Sequence, residues 1–473
     1  MFQTLKNAWK VPELKNKLLF TLLIVLLYRI GASLPLPWVS SDIYAAFQSQ
    51  TAGSMFQYLN LLSGDAFSRA TLFALSVSPY ITASIVMQLL TIAIPALERM
   101  AKDGENGKKK ITAITRIVTV GLALITAYGY TLFLETQFGS FVTYAGQKGW
   151  ALWFCRITLI LCYCAGASLI MWLAEKINEK GIGNGISIIL FANIVARVPN
   201  YLIDTIPSIC KFMTQGLAEQ KVLATILNVV IYIAVVAVII VAFGFVVWFT
   251  GSERRIPIQY AKRVVGRKMY GGQSSSLPLK MNMSGVMPII FANSIVALPA
   301  TIAAFFTNIK ADSWWYWLKD ICDQMTDVLS YSSPLYLVIF VALIIAFSYF
   351  YITISFNPVE VANNIRNNGG SIPGIRPGKP TVDYIKKILS RVTLIGGLFL
   401  CVVSGLPLLV VVISNFFVSQ ADAVTMVDQK FLSALSELAF SGSSLLIVVG
   451  VALETVRELE AQITLRNYKG FLD

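Results

Sequence analysis

The chain has 473 residues, of which 56% are hydrophobic and only 13% charged, with a formal charge of +13 and no histidine. Its mean hydropathy of +0.68 is too apolar for a soluble domain, where about 25% of residues are charged. Apolar stretches of 18 residues or more recur without the strict alternation of a β-barrel, and the missing histidine excludes HExxH metal sites and Ser-His-Asp triads.

Met1 to Lys17 is polar and basic and lacks a short apolar region followed by a small-residue cleavage site, so no removable signal peptide is expected. Ten membrane spans are predicted at roughly 18–34, 70–94, 115–135, 150–174, 184–204, 222–249, 284–306, 334–356, 386–415 and 437–455. The second and fifth are short or broken by Pro and Gly, a discontinuity tolerated beside a cavity. The N-terminal tail, Glu98–Arg116, Glu175–Lys180, Gly251–Lys280, Asn357–Arg391 and the C-terminal tail together hold 28 Lys and Arg. The intervening segments, where Arg197 is counted, hold eight, and Arg29 and Arg156 lie within spans. This bias places both termini in the cytoplasm, so the net charge is mostly topology and calls for no nucleic acid.

Between the first two spans, Met55, Phe56, Leu59 and Leu62 recur at helical spacing in a segment too short to cross a bilayer. It reads as a half-helix tucked into the protein; an amphipathic helix on the membrane surface would show the same spacing. Gly251–Lys280 interleaves Val and Ile with bases and suits a hairpin with a basic tip, and Gly369–Pro380 is too rich in Gly and Pro to be helical. Two such loops on one side suggest a docking platform. The stretch Thr307–Ser333, with Trp314, Trp315 and Trp317, suits interfacial anchoring outside.

Cys155, Cys162, Cys164 and Cys401 sit in apolar runs as small hydrophobes; Cys210 and Cys322 fall in outer loops, where a disulfide has no further support. The spans lack midplane acids, which argues against an ion-coupled carrier. An intramembrane hydrolase would need a Ser-Lys or paired-Asp site, and none is evident. Arg29 and Arg156 are expected to snorkel or to meet backbone carbonyls.

Five runs, in this order and spacing, carry a resemblance along the whole chain: PYITASI at Pro79–Ile85, GIGNGIS at Gly181–Ser187, RIPIQYAKR at Arg255–Arg263, PGIRPG at Pro373–Gly378 and SLLIVVG at Ser444–Gly450. The chain resembles the bacterial SecY family of Sec translocon α-subunits. That resemblance implies an all-α polytopic membrane protein with ten transmembrane helices. They form two inverted pseudo-repeat halves, here residues 1–205 and 206–473, around an hourglass pore. It implies a channel, not an enzyme, that passes unfolded secretory polypeptides across the bacterial cytoplasmic membrane and releases membrane proteins sideways into lipid.

The same resemblance assigns residues. A pore ring is expected from Val77, Ile81, Ile186, Leu190, Ile290 and Ile447, with Val77 and Leu190 standing where isoleucine is frequent. The segment at about 53–66, with Met55, Phe56, Leu59 and Leu62, matches the plug. Thr82, Ile85, Ser294 and Leu298 match the lateral gate, and Arg263, Arg267, Lys268 and Arg376 the contacts for a motor or ribosome. Implied partners are SecE, SecG, the SecA motor ATPase, the ribosome, signal peptides and nascent polypeptides, and membrane lipid. No cofactor is implied, and no P-loop is present.

Overall fold

The computed structural model describes residues 6, 8–40, 42–50, 59–60, 62–144, 149–197, 237, 240–260, 263–265, 268–270, 274–303, 316–328, 333–420 and 429–469. The first helix, α1 (Pro12–Ser33), carries Pro at its first position, where a missing N–H costs nothing. Leu22, Leu23, Leu26 and Ile30 are exposed on it, while Ile24, Tyr28, Gly31 and Ala32 turn inward at helical spacing. An exposed apolar face opposite a buried one is how a helix sits between lipid and protein.

A short helix α2 (Ile43–Gln50) follows. The predicted second span is then only partly helical. Residues 64–70 and 72–77 form turns, and regular helix begins at α3 (Ser78–Ala93). The turns are built on left-handed backbone at Gly64, Asp65, Ala70 and Ser76, conformations a continuous helix cannot contain. Two close approaches explain how this irregular segment is accommodated. A Cβ at Gly31 would meet the Phe73 ring at 2.1 Å, and one at Gly166 would meet the Leu72 carbonyl oxygen at 2.1 Å. Glycine in the flanking helices lets the segment wedge between them.

At the far end of α3, Pro95 holds Ile94 in extended conformation, and the chain bends by 105° into α4 (Pro95–Lys102). Then come α5 (Gly104–Gln137) and α6 (Trp150–Lys180), packed on each other around Ala123, Ala127, Tyr130, Leu159 and Tyr163. The fifth and sixth predicted spans contain α7 (Gly185–Arg197) and α8 (Ile240–Gly251).

Strands β1 (Glu253–Tyr260), β2 (Arg263–Val265), β3 (Lys268–Tyr270) and β4 (Ser274–Lys280) follow. Next are α9 (Met287–Ala303), α10 (Tyr316–Val328), α11 (Pro334–Ser355) and α12 (Pro358–Asn367). The chain ends with β5 (Gly370–Ser371), α13 (Lys379–Gln420) and α14 (Gln429–Lys469). Each of the ten predicted spans therefore contains a helix. Among the described residues, five helices are long and apolar enough to cross a membrane by themselves, and the bent α3–α4 pair counts as a sixth when read as one span.

One apolar cluster joins helices from along the chain, drawing Ile24 from α1, Ile81 from α3, Ile170 from α6, Leu190 from α7, Ile290 from α9, Phe340 from α11, Leu400 from α13 and Ile447 from α14. Outside the spans, β1 pairs antiparallel with β4 and with β5 in the order β4-β1-β5. Alternation puts Ile256 and Ile258 on its buried face, against Leu279, Ala362, Ile365, Ile372 and Ile385. The two predicted loops are thus one small domain with its own core, and much of 357–391 is helical rather than loop.

Candidate functional site

Five of the six predicted ring residues are almost fully shielded: Val77, Ile81, Leu190, Ile290 and Ile447 are each at most 4% exposed and belong to the central cluster, while Ile186 is half-buried against it. They belong to α3, α7, α9 and α14, with Val77 at the N-cap of α3. Val77 is not on the helix body but caps α3, on the last residue of the irregular segment. Gly450 lets α14 close on this region, since a Cβ there would lie 2.6 Å from Val286 Cγ1.

Met55 and Phe56 lie outside the described residues. Residues 59, 60, 62 and 63 are helical. Leu62 joins the central cluster, and Leu59 packs against the second cluster, around Tyr130 and Tyr163.

Of the predicted gate residues, Ile85 is buried in the central cluster with Val296 and Ala297, and α3 touches α9 directly. Thr82 and Ser294 are half-buried; the Ser294 hydroxyl donates to its own helix at Ile290 O, 2.8 Å. Leu298 is 40% exposed at the outer part of α9. The seam is therefore apolar inside, and the Ser294 hydroxyl is satisfied within its own helix rather than across it.

The basic loops present two surfaces. In the hairpin, β2 pairs with β3 so that Val265 opposes Lys268 and Arg263 opposes Tyr270. Arg267 lies outside the described residues. Arg376 is exposed on the loop between β5 and α13, where Gly374 and Gly378 adopt positive φ. Its carbonyl accepts from Thr381 Oγ1 at 2.9 Å. A fixed backbone thus carries an unshielded cation. Cys210 lies outside the described residues; Cys155, Cys162, Cys164 and Cys401 are free thiols.

The intramembrane arginines divide. Arg29 Nη1 donates to the Gly64 carbonyl at 3.4 Å, as expected. Arg156 instead pairs with a carboxylate, Glu135 on α5, its Nε 2.8 Å from Oε1. Arg197 is a larger departure. Counted from sequence as an outer topogenic charge, it is only 8% exposed and ion-paired with Asp65, Nε to Oδ1 3.2 Å. A polar group around it was missed. Asn60 Nδ2 donates to Asp65 Oδ1 at 3.1 Å, and Asn193 Nδ2 donates to Leu62 O at 2.7 Å and to Tyr28 Oη at 2.9 Å. The signal was present: Asn193 and Arg197 form a polar i,i+4 pair at the end of a mostly apolar helix.

Residues 71–456 match the SecY family model. The chain is 39% identical over 475 residues to the protein translocase subunit SecY of Thermus thermophilus, covering all of this chain and 98% of that relative. It is 38% identical over 479 residues to the SecY of Streptomyces scabiei, with both chains fully covered. Among solved structures it is similar to a protein-conducting channel, with TM-score 0.56 and 18% identity over 96% of each chain. A structure concerned with the SecY plug domain, which stabilizes the closed state of its channel and maintains a membrane seal, matches equally. Sec61 in the canine ribosome-channel complex matches with TM-score 0.54 at 18% identity over 96% of each chain.

Proposed function

This chain belongs to the SecY family; it is a protein-conducting channel subunit and not an enzyme, and from that premise we propose how its residues pass a polypeptide. Val77, Ile81, Ile186, Leu190, Ile290 and Ile447 form an apolar collar between the half 1–205 and the half 206–473. The supporting observation is that five of these side chains, from α3, α7, α9 and α14, are shielded within one central apolar cluster. Aliphatic groups make no directional bonds, so the collar closes around any side chain and holds none. When empty it excludes water and ions by dewetting. The segment at about 53–66 seals it as a plug, as the plug domain does in the similar SecY structure. Thr82, Ile85, Ser294 and Leu298 line the seam between α3 and α9 that parts toward lipid for signal peptides and membrane segments.

The channel resides in the bacterial cytoplasmic membrane with both termini inside and SecE and SecG beside it. A cysteine placed at Gly271 in a cysteine-free background is expected to escape an impermeant thiol reagent on intact cells, while one at Ser313 is labelled. The reverse pattern overturns this topology.

The small domain built from β1, β4, β5, α12 and the start of α13 is the docking platform for the SecA motor or the ribosome, with Arg263, Arg267, Lys268 and Arg376 as contacts. Its own buried core supports this reading, because a topogenic loop needs none. Reconstituted with motor, ATP and a secretory precursor, the native channel is expected to carry the precursor into a protease-protected lumen. Arg376→Glu is expected to cut that transport at least about tenfold with normal membrane assembly, as charge reversal in a desolvated contact does. An exposed charge outside a contact is worth at most about 1 kcal/mol, so unchanged transport and motor binding would reduce Arg376 to a topogenic charge.

A further inference from the structure

The connection between α9 and α11 holds a short helix that turns its apolar side chains outward. Trp317, Ile321, Met325 and Val328 of α10 are each 42–54% exposed. Spaced four, eight and eleven residues from the first, they share one helix face. Lys319, on the opposite side, is half-buried. A helix that met water on its outer face would carry the reverse pattern. Asp320 and Gln324 are exposed along one edge of the stripe and bond to each other, Gln324 Nε2 donating to Asp320 Oδ2 at 3.0 Å. The exposed face is therefore an apolar stripe with a polar border.

The position of α10 in the chain says what this face meets. It packs on α9. Only residues 329–333 separate it from Pro334, the start of α11, a link of about 20 Å when fully extended. Both neighbours expose apolar side chains of their own, Leu298 and Ile302 on α9 and Leu335 and Val338 on α11. A helix held this closely to two lipid-facing helices is within reach of the headgroup layer. With 13 residues, about 20 Å in length, it is too short to cross the roughly 30 Å hydrocarbon core. A short helix with an apolar stripe and a polar border lies in the interface plane. We propose that α10 docks on the lipid surface through Trp317, Ile321, Met325 and Val328, with Asp320 and Gln324 toward water, and tethers α9 at headgroup depth. Trp314 and Trp315 lie outside the described residues, so the stripe carries this assignment. The helix has three aspartates and one lysine, so its hold on lipid is apolar and needs no anionic headgroup. The choice of the outer leaflet rests on the topology proposed above.

The test uses the assembled complex reconstituted in phosphatidylcholine vesicles, with all six native cysteines replaced. One nitroxide-labelled cysteine at a time is placed at Asp320, Ile321, Gln324, Met325 or Val328. Collisions with oxygen, which partitions into lipid, are compared with those of a water-soluble nickel chelate. Labels at Ile321, Met325 and Val328 are expected to favour oxygen, and those at Asp320 and Gln324 the chelate. Chelate-dominated collisions at all five would leave the stripe in water and overturn the proposal. Few collisions with either reagent at Ile321, Met325 and Val328 would mean that a second copy or a partner subunit covers the stripe, which overturns it as well. Ile321→Gln with Met325→Gln is expected to shift the label at Val328 from lipid to water. An unchanged signal there would show that packing on α9 alone holds the helix, and that also rejects the docking. Lipid contact is read whichever leaflet holds the helix, so a reversed labelling pattern at Gly271 and Ser313 is distinguishable from a failed docking.

Discussion

Oxidation of a channel carrying Thr82→Cys and Leu298→Cys is expected to abolish polypeptide transport, and reduction to restore it. A signal sequence brings an apolar region of about 7–15 residues whose favourable surroundings are lipid or a lipid-facing groove. Reaching lipid from the collar requires two neighbouring helices to part. The structure puts α3 and α9 in contact, with Ile85, Val296 and Ala297 buried and Leu298 40% exposed. Apolar packing can part and close again; a covalent bond cannot. The disulfide requires Cα atoms within about 7 Å, so its formation tests the register of the two helices before transport is measured. The free native cysteines, Cys155, Cys162, Cys164 and Cys401 among the described residues, are replaced first. A long flexible crosslinker between the same positions is expected to permit transport because it allows separation. Full transport through the oxidised channel would place the lateral opening elsewhere.

Replacing Ile81 and Ile290 together by Ser is expected to raise the resting conductance of the channel, most strongly with residues 53–58 also deleted. Both side chains are shielded in the central cluster, at 4% and 2% exposure. Two hydroxyls there give water hydrogen-bonding partners and remove the dewetting barrier on which the seal depends. The substitution also removes packing, and truncating a buried isoleucine to Ala costs about 2–5 kcal/mol. A second variant separates the effects. Ile81→Val with Ile290→Val costs about 0.5–1.5 kcal/mol per site and keeps the surface apolar, so it is expected to stay sealed. Unchanged conductance in the plug-deleted Ser variant would show that these residues do not form the constriction.

Several features of the fold are legible in the chain one segment at a time. The apolar runs give the helices, while the 105° bend falls at Pro95, just past the end of the second predicted span. The hairpin is readable from Val and Ile interleaved with bases, because period-2 alternation is local. The collar residues were named by resemblance rather than by pattern. Along its own helix each of them is one apolar residue among many, and in the structure each is one member of a larger apolar cluster.

Arg197 shows the limit most clearly. Its sequence neighbourhood, the end of an apolar run beside Val198 and Pro199, is that of an ordinary topogenic charge. Its partner Asp65 lies far back in the chain, in a turn where Asp65, Ala70 and Ser76 are left-handed without the glycine that would announce them. No local pattern encodes a pairing across that separation. By itself the sequence determined the spans, their orientation bias and the basic loops, because hydrophobicity, charge and turn chemistry act over a few residues. The tertiary structure alone decided which buried side chains face each other. It joined two loops into one domain, turned an apparent surface charge into an internal ion pair, and brought apolar residues of helices along the whole chain into one cluster. Those outcomes depend on how helices distant in sequence pack, and packing is a property of the assembled chain.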